Sequence, residues 1–185
     1  MIAVYVLVAV LVAAVVFVIV LYNRMVRLRN EVDTGWANID VQLKRRNDLI
    51  PNLVETVKGY ASHERGTFEA VTEARAAVAR AGGPAAAAEA DNLLTAALGR
   101  LFAVAEAYPD LKASENFLQL QNELAATEDK IAAARRYYNA TVLRFNNSIQ
   151  TFPAIILAGV FGFVKREFFA AEAGDRELPE VSFQP

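Results

Sequence analysis

The 185-residue chain has no cysteine and a single histidine, His63. Disulfides, thiolate zinc sites and Cys-His nucleophiles are therefore excluded within one chain. His63 stands beside Glu64 and reads as a surface residue near a helix start. Ser62, Ser114 and Ser148 have no base to activate them. The pairs Glu69 with Glu73 and Glu123 with Glu128 have helix-surface spacing and no histidine nearby to complete a di-metal carboxylate site. Gly82-Gly83-Pro84 is a turn and not a phosphate cradle, because no strand precedes it and no GK[ST] follows. Charge of one sign is lacking too: 19 basic against 21 acidic residues leave a net charge of −2, with no basic excess for nucleic acid. The expectation is a protein that is not an enzyme, with no catalytic residues, no cofactor and no metal.

Charge is also missing from the first stretch of the chain. Ile2 to Tyr22 is one apolar run, IAVYVLVAVLVAAVVFVIVLY, with no Lys or Arg before it and Arg24, Arg27 and Arg29 just after it. As a helix it reaches roughly 30 Å, the thickness of a bilayer's hydrocarbon core. A secretory signal would need a charged start, a shorter apolar core and small residues at a cleavage point; Val20-Leu21-Tyr22-Asn23 has none of these. Residues 1–22 are therefore expected to be a retained transmembrane anchor. The basic cluster behind it, followed by Lys44, Arg45 and Arg46, directs the bulk of the chain inward. The expected topology is single-pass in the cell membrane, N-terminus outside, C-terminal domain cytoplasmic.

The remainder, about 160 residues, is one domain's worth. In its first part the apolar positions run Met25, Leu28, Val32, Trp36, Ile39, Leu43, a polar interruption at Arg46, then Ile50, Leu53, Val57 and Tyr60. Steps of three and four make one stripe on a helix, with a repeated four at Leu28, Val32 and Trp36 acting as a stutter. Pro51 predicts a kink near Asn47, not a termination. A second helix is expected over Ser62 to Ala81 with Ser62 as N-cap, and the spacing leaves open whether it continues the first. An alanine-rich helix follows, opened by Pro84 and closed before Pro109. The longest segment starts at Asp110 or Ser114 and runs to about Gln150.

This last segment repeats the first one's pattern: Phe117, Leu120, Leu124, Thr127, Ile131, Ala134, Tyr138, Thr141, Phe145, Ser148 or Ile149, and Phe152. Two long helices with matching seams predict an all-α fold, an N-terminal transmembrane helix followed by an elongated antiparallel up-and-down bundle with coiled-coil-like helices over residues 23–152. In that register residue n faces roughly 172 − n, so Arg46 meets the neighbourhood of Glu128. A polar layer inside the bundle is one placement for Arg46; the expected one is at the seam's margin, with its head in water. Asn139 and Asn146, one heptad apart beside Tyr138 and Phe145, either hydrogen-bond between packed helices or bind a partner.

Residues 153–170 are apolar and then aromatic and basic, too short to span a bilayer. They are expected as an apolar or amphipathic helix in contact with lipid, with its own bundle or with another copy, through Phe161, Phe163, Lys165, Arg166, Phe168 and Phe169. Residues 171–185 are expected to be a loose tail.

The phrases IDVQLKRRNDLIPNLVETVKGYASHE from Ile39, YPDLKASENFLQLQNEL from Tyr108, ARRYYNATVLRFNNSIQTFP from Ala134 and GFVKREFF from Gly162 stand together in this order. In this the chain resembles the LemA family of bacterial membrane proteins over nearly everything after the anchor. The resemblance implies one N-terminal span, an extracytoplasmic N-terminus, a helical cytoplasmic domain and no established enzymatic activity. It also implies a link with membrane proteolysis or envelope-stress machinery. The seams Trp36, Ile39, Leu43, Ile50, Leu53, Phe117, Leu120, Leu124, Ile131, Tyr138, Asn139, Phe145 and Asn146, with no chemistry beside them, point to a bilayer-anchored scaffold or adaptor that forms homo-oligomers. It would present a surface to other membrane proteins and not to nucleic acid. The alternative is a membrane-shaping protein that uses the C-terminal apolar segment as an interfacial wedge.

Overall fold

The computed structural model describes residues 1–169, and over that range the only regular structure is helix. α1 runs unbroken from Ile2 to Lys58, so the apolar run and the first arm of the bundle are one rod. It is the one described helix long and apolar enough to cross a membrane, and its apolar window is not buried against any other part of the chain. Pro51 lies inside it. Proline cannot bond the carbonyl four residues earlier; that carbonyl, on Asn47, instead accepts a hydrogen bond from Arg75 Nε at 3.1 Å. The helix continues because another helix satisfies the acceptor.

α1 and the next helix are separate. The chain turns at Gly59 and Tyr60, buries Ala61, and starts α2 at Arg65, which ends at Arg80. Ser62, expected to cap this helix, lies in the turn, and Glu64 takes the N-cap position without a side-chain bond. Tyr60, expected on the seam, is left exposed because α1 stops at Lys58. His63 is exposed.

α2 runs back along α1, with Arg75 level with Asn47 and Val78 and Ala79 beside Asp40 and Leu43. At Gly83 (φ +143°), where a side chain would be strained, the chain reverses into α3, Pro84–Glu106, with Pro84 in the first turn. A single turn, α4, Pro109–Lys112, leads into α5, Glu115–Gln150, whose N-cap is Ser114. α5 returns antiparallel to α1 along its length. Gly35 marks their close approach: a Cβ there would stand 3.4 Å from Tyr138 Cα and from Thr141 Oγ1. α6, Ala154–Val160, follows α5.

α1 and α5 pack against each other along buried stripes. Ile39, Leu43, Ile50 and Leu53 of α1 and Phe117, Leu124, Ile131, Tyr138 and Phe145 of α5 are buried, while Trp36 and Leu120 are half-buried at the margins. Phe152, placed at the end of the α5 stripe, is instead 82% exposed, because α5 ends at Gln150.

Candidate interaction site: a buried charge centre and two asparagine clamps

Arg46 does not extend to water from the margin. It is 5% exposed, and its guanidinium sits inside the bundle. Nη1 donates to Asp91 Oδ1 at 2.8 Å and lies 2.9 Å from Glu128 Oε2; Nη2 donates to Thr95 Oγ1 at 3.0 Å. Asp91 is wholly buried, and its second oxygen pairs with Arg135 of α5. Two arginines and two carboxylates thus balance to zero charge and tie α1, α3 and α5 together. The expected margin placement is overturned in favour of the alternative Arg46–Glu128 layer, whose centre is Asp91, a residue that no spacing singles out inside the alanine-rich stretch. An unpaired arginine could not be left there, because a buried charge needs a partner.

Residues 153–170 are not one helix. α6 ends at Val160, Gly162 takes a left-handed turn (φ +69°), and Phe163 to Phe169 run extended, antiparallel to α5. A side-chain-free residue suits that turn, and an extended strand beside a helix has no neighbouring strand to satisfy its backbone. Two carboxamides take that place. Asn146 Nδ2 donates to Arg166 O at 2.9 Å while Arg166 N–H donates to Asn146 Oδ1 at 2.9 Å. Asn139 Nδ2 donates to Phe169 O at 3.0 Å while Phe169 N–H donates to Asn139 Oδ1 at 2.9 Å. Tyr138 OH adds a bond to Glu167 O at 2.8 Å.

The spacing explains the match. Seven residues of α-helix rise about 10.5 Å, and three residues of extended chain cover about 10 Å. A heptad on α5 therefore reads every third residue of the strand. An asparagine side chain presents one donor face and one acceptor, as a peptide group does, so each clamp stands in for a missing neighbour strand. Within the chain these asparagines bond not a packed helix but the segment Phe163 to Phe169.

The strand's side chains divide cleanly. Phe169 is 1% exposed, with Arg135 Cζ 4.8 Å above its ring; Phe163 is half-buried beside Phe145, Tyr22 and Arg29. Arg166 forms an exposed ion pair with Asp33 at 2.7 Å. Lys165 and Phe168 face out. Phe169 packs level with Gly35 and Trp36, roughly 20 Å along α1 from Tyr22. Phe168 and Phe169 therefore do not share a surface with α6, contrary to a single 153–170 amphipathic helix. Burial of the Tyr138 phenol pushes its pKa up, with Glu167 and Asp33 adding to the rise and Arg166 opposing it.

The other end of this segment lies beside the apolar run. The Phe161 ring is 4.8 Å from that of Tyr22. Before and at it in the chain, Phe152, Ile155, Ile156, Val160 and Phe161 are all exposed, whereas Val164 and Lys165 lie beside Val32, Asp33 and Trp36. Among the described residues no cluster of His, Cys, Asp and Glu is suited to hold a metal ion.

Comparison with known proteins places these features in a family. The chain is 29% identical to magnetosome protein MamQ of Magnetospirillum gryphiswaldense, over 91% of this chain and 72% of that one. It is also 29% identical to magnetosome protein MamQ 2 of Paramagnetospirillum magneticum, over 85% and 68%. Protein LemA of Metamycoplasma hominis is 30% identical over 70% of this chain and 60% of its own. The LemA family model matches residues 35–183, and this chain belongs to the LemA family.

Proposed function

We propose that this protein is a non-enzymatic, membrane-anchored scaffold that self-associates and presents its helical domain, on the cytoplasmic side, to other membrane proteins. One observation carries the reading. The exposed apolar group of α6 stands level with Tyr22, where the apolar part of α1 ends. If Ile2 to Tyr22 span the bilayer, Ile155, Ile156 and Val160 lie at the headgroup boundary, with Arg24 and Arg27 placed to meet lipid phosphates. The domain would then be seated on the membrane at two points, the anchor and α6, which fixes its height for contacts with its neighbours. Membrane shaping is a second reading of the same observation: many seated copies would press α6 into one leaflet, and the wedge would be α6, not Phe168 and Phe169.

Because the chain has no cysteine, a single Ile156→Cys in the full-length protein can carry an environment-sensitive fluorophore. Reconstituted in vesicles with brominated lipids, it should be quenched strongly; an unquenched probe would show that α6 is not seated on lipid. Particle mass in mild detergent tests self-association, and a strict monomer at every concentration would end the scaffold reading.

A further inference from the structure

The strand clamped by Asn139 and Asn146 occupies what is, in physical terms, a peptide-binding groove. One wall is the α1 stripe Arg29, Asp33 and Trp36; the other is the α5 stripe Arg135, Asn139 and Asn146, residues that share a face at helical spacing. We propose that this groove also accepts the Phe163–Phe169 strand of a second copy of the chain, so that copies exchange strands and become linked through the clamps. The proposal rests on the self-association put forward above and names the contact that makes it.

Four observations favour exchange with this occupant. The grip is on backbone, through four hydrogen bonds from two carboxamides, and such bonds are remade without loss by an identical strand. Only Phe163 and Phe169 turn inward, at the first and last positions of the strand, and the ion pair between them is exposed. Between its two inward phenylalanines the strand leaves space: an open pocket of about 320 Å³ separates Val164 and Arg166 from Trp36 and Tyr138. Finally, α6 buries only Ala154 and Ala158, so the arm that carries the strand is lightly held, and Gly162 forms its hinge. An apolar anchor would hold the grooves of neighbouring copies at one height and in one orientation, which raises their effective concentration. The occupant is specified by chemistry: an extended strand with aromatic side chains six residues apart and a basic residue midway, the pattern of Phe163, Arg166 and Phe169.

The absence of cysteine makes the test direct. Asp33→Cys and Arg166→Cys, which remove only an exposed ion pair, are made in separate full-length copies, co-expressed, and treated in native membranes with a short bismaleimide. Exchange is expected to give a covalent dimer of the two variants. Asn139→Ala with Asn146→Ala on the Asp33→Cys copy should reduce it about tenfold or more. Phe169→Asp on the Arg166→Cys copy should do the same, because it removes the strand's buried anchor beneath Arg135. A cross-link formed only when both cysteines share one chain, or a dimer indifferent to these changes, would overturn the proposal. Oligomeric particles in detergent without the cross-link would leave the scaffold standing and sink the exchange alone; monomeric particles would remove both.

Discussion

At the end of the bundle far from the apolar run, Leu53, Val57, Val71, Leu94, Leu101, Leu111 and Phe117 come from five helices and are buried together. At the near end α1 and α5 are joined by only the start of α3 and the end of α2, and are covered by a seven-residue helix and a strand. The far end is closed by side-chain burial, which is non-directional and needs volume. The near end is closed by backbone hydrogen bonds to two asparagines and by two phenylalanines, which is directional and needs register. The first kind of closure is hard to undo without unfolding. The second holds its strand through a few bonds to one face of α5, separate from the contacts that pack the helices on one another. Between them lies the charge centre of Arg46, Asp91, Glu128 and Arg135, and Arg135 belongs to both regions, since it pairs with Asp91 and covers the Phe169 ring.

That contrast can be broken most severely at the centre. Asp91→Ala leaves Arg46 and Arg135 buried without their shared carboxylate, and should cost about 3–5 kcal/mol of stability in chemical denaturation. Asn139→Ala with Asn146→Ala should cost less, about 1–3 kcal/mol, and in a different pattern. Hydrogen exchange at the Arg166 and Phe169 amides should accelerate strongly, while amides around Leu94 and Leu101 stay protected. Equal acceleration at both ends would mean that the two closures are one cooperative unit.

The strand should also loosen at alkaline pH. The folded Tyr138 pKa is raised by burial above its ordinary value near 10, so the folded state holds this proton where the unfolded chain has lost it. Its contribution is intact below about pH 10 and is lost as pH rises toward the folded pKa, at up to about 1.4 kcal/mol per unit. Tyr138→Phe should abolish that dependence, as read from exchange at the Arg166 and Phe169 amides. Arg75→Ala, which leaves the Asn47 carbonyl beside Pro51 without its donor, should be the mildest, about 1 kcal/mol, with α1 still helical by circular dichroism.

The seams could be read from spacing because helical periodicity is local: Ile39, Leu43, Ile50, Leu53, Ile131, Tyr138 and Phe145 follow from steps of three and four and are buried. The register between the long helices followed too, to within a few residues, as the Arg46–Glu128 and Glu31–Arg144 pairs show. Asn139 and Asn146 stood out as a heptad pair, but their ligand did not, since it lies 20 to 30 residues away along the chain. The apolar character of GFVKREFF suggested a helix, and the strand forms because asparagines on another element supply the backbone partners that a helix would have supplied internally.

Composition and periodicity were enough for the all-helical fold, the apolar first arm and the antiparallel pairing, because each depends on residue type and on neighbours within a turn or two. The burial of Asp91, the inward turn of Arg46 and the extended path of Phe163 to Phe169 depend on which surfaces meet after α3 and α6 have packed. Each is a polar or backbone group that is costly to bury alone and stable once its partner arrives from a distant part of the chain, and local spacing carries no record of that partner.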